Sequence, residues 1–315
     1  MSCSFARACI LAASSASLLV MPAVATAAPG ADQAAVTAVR PRLNLTGRVR
    51  NTTTVPLALV TPQMAENIGP GSHLLIEIPN AGTFGCTANF IWASGATRYL
   101  GAAGHCFIPE GTTATHGTGA DFDASGVRVS VCVSNCSFGG ELGFAITGTL
   151  VRLGAVAYSR QTAADGDIGN DFGVVTIPAS LASMVRPSMP VFGGPTTTGT
   201  VTTGQPLCHY GNGVGVGETF LTMARVGIGG GSTAAYWVGD LAAAPGDSGS
   251  AVVTCESDGS GGLQGRGAAG VLTHLGVEEP NPANPLQHGF VFGTTIARAI
   301  EMAREAGLAL SLVFD

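Results

Sequence analysis

From about residue 73 the chain is a succession of short apolar stretches divided by Gly, Asn, Pro and Ser. The first half predicts strands at LLIEIP, TANFIWA, RYLGAAG, GVRVSVCV, LVRLGAVAY and FGVVTI. The second half predicts them at GQPLCHYG, TFLTMARV, TAAYWVG, SAVVTC, GAAGVLTHL and HGFVFG. Strands at this spacing, with no sustained helical period among them, read as an all-β barrel or sandwich. One helix is predicted at the C-terminus. There TTIARAIEMAREAGL sets Ile296, Ala299, Ile300, Met302 and Ala303 on one side, as a surface helix followed by an apolar tail. The glycine runs GIGGGS and SDGSGGLQGRG lack a strand-to-helix context and read as hairpin turns, not phosphate loops.

The same pattern divides the chain. Residues 187–204 (PSMPVFGGPTTTGTVTTG) read as a linker between an N-terminal unit, 71–186, and a C-terminal unit, 205–308, that ends in the helix. Residues 28–70 hold no sustained period and read as an extended leader or short propeptide. Residues 1–27 carry one positive charge, Arg7, then an apolar run and a small-residue Ala-Thr-Ala. That is the layout of a secretory signal peptide. Ser and Pro interrupt the run, which weighs against a membrane anchor, and no second stretch is long enough to span a bilayer. A secreted, extracellular protein with no membrane partner after signal cleavage is expected.

Cysteine fits that compartment. Cys3 and Cys9 leave with the signal, and Cys86, Cys106, Cys132, Cys136, Cys208 and Cys255 remain. An even number in an exported chain points to three disulfides, with the pairing open at this level. No C-x2-C pair is present, so neither a metal nor any cofactor is expected. Glycosylation sequons occur at Asn44, Asn51 and Asn135.

Composition removes several function classes. Among 315 residues only 14 are basic and 20 acidic, and every basic one is Arg. Without Lys there is no Walker-type phosphate binding, Schiff-base chemistry or Ser-Lys catalysis. A net charge of −6 with no basic cluster excludes a nucleic-acid partner. Apolar residues at 46 % permit a large core, and 46 glycines point to many turns.

Three segments carry chemistry: GAAGHCF with His105, GNDFGVVTI with Asp171, and APGDSGSAVV with Ser248. A serine between glycines in a tight turn lets nearby backbone N–H groups converge on one oxygen. A hydroxyl is a weak nucleophile at neutral pH and needs a base, which a histidine oriented by a buried carboxylate supplies. Asp171 heads an apolar strand, which suits a buried orienting group; Asp165 and Asp167 lie close by in a turn with an exposed composition.

In their order and wording these segments resemble the chymotrypsin-like serine proteases, particularly the secreted bacterial branch, over about residues 70–305. The resemblance implies two packed antiparallel β-barrels, each of six strands, with the site in the cleft between them and a C-terminal helix. It implies His105 as general base, Asp171 as its orienter, Ser248 as nucleophile, and the N–H groups of Gly246 and Ser248 as oxyanion hole. It also implies pairing of Cys86 with Cys106 and of Cys208 with Cys255, leaving Cys132 and Cys136 to close a small loop. The His-to-Asp interval of 66 residues is long for that branch, and an inserted hairpin over about 122–149 accounts for it.

The resemblance further implies a substrate pocket with Ala242 at its base and Thr273, His274 and Leu275 on its wall. Ala242 carries no charge, and Leu275 stands where the relatives mostly have glycine. A preference for small or medium apolar residues before the cut is expected, with an acidic preference through His274 or Thr273 as the alternative. Protein or peptide substrates and a monomer are expected. No Arg followed by I-V-G-G precedes Cys86, so activation through a new N-terminus has no support. Two other readings are an inactive protease-like binding module and an α/β-hydrolase esterase; the second is opposed by the residue order and by Ser250 in G-D-S-G-S.

Overall fold

The computed structural model describes residues 64–109, 112–114, 123–139, 145–162, 168–213, 223–243, 246–275 and 291–315. The expected signal segment 1–27, most of 28–70, Asp165, Asp167, His116 and His288 lie outside the described residues.

The strands make three sheets. The first joins β1 (His73–Ile78), β2 (Gly82–Thr87), β5 (Arg128–Gly139) and β6 (Ala145–Arg152) in the order β2-β1-β5-β6. The second takes β3 (Ile91–Ser94), β4 (Thr97–Ala102), β7 (Val156–Gln161), β8 (Asp171–Ile177) and the C-terminal β16 (Ser311–Leu312), ordered β16-β3-β4-β8-β7. The third holds β9 (Thr197–Thr198), β10 (Pro206–Tyr210), β11 (Ala224–Ser232), β12 (Tyr236–Asp240), β13 (Ala251–Ser257), β14 (Leu263–Leu275) and β15 (Val291–Thr295). Its order is β13-β10-β11-β12-β15-β14-β9, and β13 also pairs with β14.

The expected pair of closed six-stranded antiparallel barrels is therefore corrected to three sheets of four, five and seven strands. The first half divides where β2 gives way to β3. There the Asn89 carboxamide oxygen accepts the Phe90 backbone N–H (2.7 Å) and the Trp92 indole N–H (3.0 Å). The LVRLGAVAY stretch, read as one strand, is two strands in different sheets. They part at Gly154, whose N–H goes to Thr176 O at 2.8 Å. The third sheet is not purely antiparallel, because β9 runs parallel to β14.

GIGGGS is likewise strand, not turn: it lies within β11. A Cβ on Gly227 would collide with Asp240 O and one on Gly229 with Thr202 O, so neighbouring backbones need bare positions there. The register against β12 shifts between Gly229 and Gly231, whose φ is +122°. The other glycine run turns only at residues 258–262, between β13 and β14, and its LQGRG part is strand.

The helix α1 (Ile296–Glu305) forms at the expected place, capped by Thr295 Oγ1, which accepts the Arg298 N–H at 3.2 Å. Its buried Ile296, Ala299, Met302 and Ala303 join an apolar cluster that includes Phe90, Trp92, Phe172 and Val253, drawn from both halves. Trp92 and Phe172 meet edge to face with centroids 5.1 Å apart. Separate clusters lie behind Leu74, Leu100 and Phe107, and behind Trp237 and Leu272. Residues 64–72 belong to this core: Met64, Ala65 and Ile68 are buried, and Ile68 bridges Val185. Among the described residues no helix is long and apolar enough to cross a membrane.

Candidate active site

His105 lies in a single 3-10 turn, Gly104–Phe107, just after β4. The turn is fixed from several sides. Cys106 is disulfide-bonded to Cys86 at the end of β2, and the Ser159 hydroxyl donates to Gly104 O at 2.8 Å. Gly104 is obligatory there, because a Cβ would run into Arg160 O.

Asp171 is the first residue of β8 and only 1 % exposed. Its Oδ2 accepts from His105 Nδ1 at 2.7 Å, and its Oδ1 accepts the His105 backbone N–H at 3.0 Å. With Nδ1–H donated to the carboxylate, Nε2 of the neutral ring is left as an acceptor. Burial lowers the His105 pKa, but the charge and hydrogen bond of Asp171 outweigh it and leave the imidazole above its ordinary value. Burial raises the Asp171 carboxyl, and His105, with a further charge contribution from His274, carries it below its ordinary value. The aspartate is also fastened to the second half. Its N–H donates to Thr294 Oγ1 (3.3 Å), and that hydroxyl donates to Asp171 O (2.8 Å).

Ser248 sits half-buried in the turn between β12 and β13. The turn needs two glycines. Gly246 and Gly249 have φ of +101° and +91°, and a Cβ on Gly249 would lie 2.5 Å from Thr87 O and 2.7 Å from Ala103 N. Thr87 holds the turn from the first half, its N–H donating to Ser248 O (2.9 Å) and its hydroxyl to Gly246 O (2.8 Å). Asn89 Nδ2 donates to Gly249 O at 3.1 Å. Cys106 Sγ lies 3.7 Å from Ser248 O, so the histidine turn and the serine turn abut. The His105 ring and the Cys86 and Cys106 sulfurs lie within 4.8 Å of one another, but the sulfurs are bonded together and offer no thiolate to a metal.

Beneath the serine, Asp247 is fully buried. It pairs with the Arg225 guanidinium and accepts the Gly213 N–H at 2.7 Å. Arg225 also donates to Gly213 O at 3.3 Å. The residue types alone do not reveal this pair, although an Arg amid the apolar stretch TFLTMARV was a usable signal. Thr87, Asn89 and Thr294 had no signal in the sequence.

The four residues expected to form the pocket fall in two places. Ala242 follows β12 and is half-buried, and its carbonyl receives His209 Nε2 at 2.8 Å. Thr273, His274 and Leu275 end β14, with Thr273 Oγ1 2.7 Å from His274 Nδ1 and Leu275 packed against the cluster of Trp237 and Leu272. β14 adjoins the serine turn through Gly249 N–H to Leu272 O (2.7 Å). Cys208 is joined to Cys255, pinning β10 to β13, and Cys132 to Cys136 within β5. The β5–β6 hairpin occupies the place of the expected insertion.

No family model and no curated protein matches this chain. Solved structures do. Protease A of Thermobifida fusca is 20 % identical, with 78 % of this chain and 99 % of that one covered at a TM-score of 0.42. The thermostable serine protease AL20 from an extremophilic microorganism is 16 % identical, covering 75 % and 93 %, at 0.46. The protease Anisep of Arthrobacter nicotinovorans is 15 % identical, covering 74 % and 92 %, at 0.45. At such identities the likeness is one of fold and carries no residue's role across.

Proposed function

We propose that this chain is a secreted serine endopeptidase that cleaves peptide bonds through an acyl-enzyme. The observation that carries the reading is the two-point hold of Asp171 on His105, beside a glycine-framed serine turn that abuts the histidine turn. In this reading His105 Nε2 takes the Ser248 hydroxyl proton as Oγ attacks the scissile carbonyl, then returns it to the departing amine. Asp171 stays ionised and stabilises the imidazolium. The N–H groups of Gly246 and Ser248 receive the oxyanion. Water then frees the acyl group by the same proton path in reverse, and no cofactor enters. Export by residues 1–27 and a leader over 28–70 belong to the same proposal, and the two cysteine-pinned halves suit an oxidising destination.

Labelling with a fluorophosphonate probe tests it: the wild type takes the label and Ser248→Ala does not. Label on both moves the nucleophile elsewhere, and label on neither leaves a binding module. For the pocket, uncharged Ala242 and the apolar packing of Leu275 support small or medium apolar residues before the cut. In a matched peptide series, cleavage after Arg as fast as after Ala overturns that preference. Faster cleavage after Glu gives the pocket to His274 and Thr273.

A further inference from the structure

His209 has no part in the proton path, yet it is fully enclosed beneath the serine turn, on β10 between Arg225 of β11 and Val252 of β13. Its ring spans two segments that matter. Nε2 is 2.8 Å from Ala242 O, and Nδ1 is 3.3 Å from Ser250 Oγ. We propose that His209 is a specificity-determining positioning residue, a rigid spacer that sets the base of the substrate pocket at Ala242 relative to the nucleophile turn at Ser250. The inference rests on the protease reading.

The chemistry of the two partners gives the spacer a direction. A backbone carbonyl only accepts, so Nε2 carries the proton toward Ala242. In the neutral ring Nδ1 is then an acceptor, and the Ser250 hydroxyl donates to it. The imidazole thus ties the chain at residue 242 to the chain at residue 250, with Ser248 between the two ties. The charged groups facing it are Asp247 and Arg225, opposite in sign and paired with each other. Burial carries the His209 pKa down to about 4, with Asp247 opposing and Arg225 assisting, so the ring stays neutral wherever His105 serves as a base. Space is closed as well: a Cβ on Gly211 would come within 3.1 Å of His209 Cε1. A planar ring packed this closely holds a fixed separation better than a flexible side chain.

The test compares His209→Leu, His209→Gln and Ser250→Ala with the wild type, using matched peptides with Ala or Phe before the cut. Concentrations are normalised to fluorophosphonate-titrated sites, so lost folding does not count as lost activity. His209→Leu is expected to shift the Ala-to-Phe ratio of kcat/KM by about tenfold or more, the scale on which small misplacements act. His209→Gln, which keeps a donor for Ala242 O, restores the ratio; a merely structural role lowers both substrates equally. Where His209→Leu does not fold, Ser250→Ala decides, since it removes one tie only and shifts the ratio in the same direction. An unchanged ratio per titrated site overturns the proposal while leaving the protease reading intact. A wild type that takes no label removes that reading, and the inference with it.

Discussion

Asp171 grips His105 twice, through the ring Nδ1–H at 2.7 Å and the backbone N–H at 3.0 Å, so one carboxylate fixes both the tautomer of the imidazole and the turn that carries it. Asp171→Asn keeps the shape and can present its N–H to the ring, which inverts the tautomer. Peptide hydrolysis is expected to fall by about four orders of magnitude, the loss this exchange causes in a triad of this type. The disulfide Cys86–Cys106 still holds the turn, so the fold survives. Full activity of a folded Asp171→Asn protein removes Asp171 from the mechanism.

The pH profile follows from the same contact. A base must be neutral to act, and Asp171 holds the His105 pKa above its ordinary 6.5. kcat/KM is expected to rise with pH through an acid limb centred above that value. Stability runs the other way. A raised histidine pKa contributes stability that is fully present below 6.5 and lost as pH rises through the folded value. Asp171, whose pKa is lowered, contributes stability that is lost only as pH falls through its own folded value in strong acid. A limb centred at or below 6.5 contradicts the contact.

Acid stability tests two other histidines. His73 and His209 are buried neutral, each with its pKa lowered to about 4 by burial. Between 6.5 and that value the unfolded chain binds the extra protons, so stability is lost as pH falls through this window, by about 3 kcal/mol for each ring. His73→Phe is expected to shrink the difference in urea-unfolding free energy between pH 7 and pH 4 by that amount. An undiminished difference shows that His73 is not the group responsible.

Arg225 and Asp247 form a buried pair whose breaking exposes neither charge to water. Arg225→Leu removes the guanidinium that pairs with the buried Asp247 carboxylate, at a cost of about 3–5 kcal/mol read from chemical denaturation. A loss below about 1 kcal/mol, the range of exposed pairs, shows that water reaches the site.

Gly249→Ala adds one methyl where φ is +91° and Thr87 O stands 2.5 Å away. The strained backbone alone costs about 1–3 kcal/mol. Because the serine turn has to move to relieve the clash, fluorophosphonate labelling slows sharply even in protein that remains folded. Wild-type labelling rates refute the close approach.

The segments around His105, Asp171 and Ser248 were visible because each pairs a reactive residue with small or apolar neighbours in a fixed order. The helix announced itself by Ile296, Ala299, Met302 and Ala303 on one side. Sheet closure was not legible. A period of two says which residues face inward but nothing about which strand lies alongside, and the break at Asn89 depends on one carboxamide finding Phe90 and Trp92. GIGGGS does not declare itself a strand, because glycine serves turns and crowded strands equally. The hydroxyl of Thr294 carries no signal, since a threonine at a strand end is ordinary until the partner strand is known.

Thr294 has a consequence for the order of events in the chain's life. The two bonds between it and Asp171 join the backbone of that residue, in the first half, to β15. Thr87 makes the reverse link, from the first half to the serine turn of the second. Neither half alone makes both links, and no chain that lacks β15 makes them either. On the protease reading, cutting therefore waits until the two halves have docked, and a half-assembled copy is harmless to its neighbours.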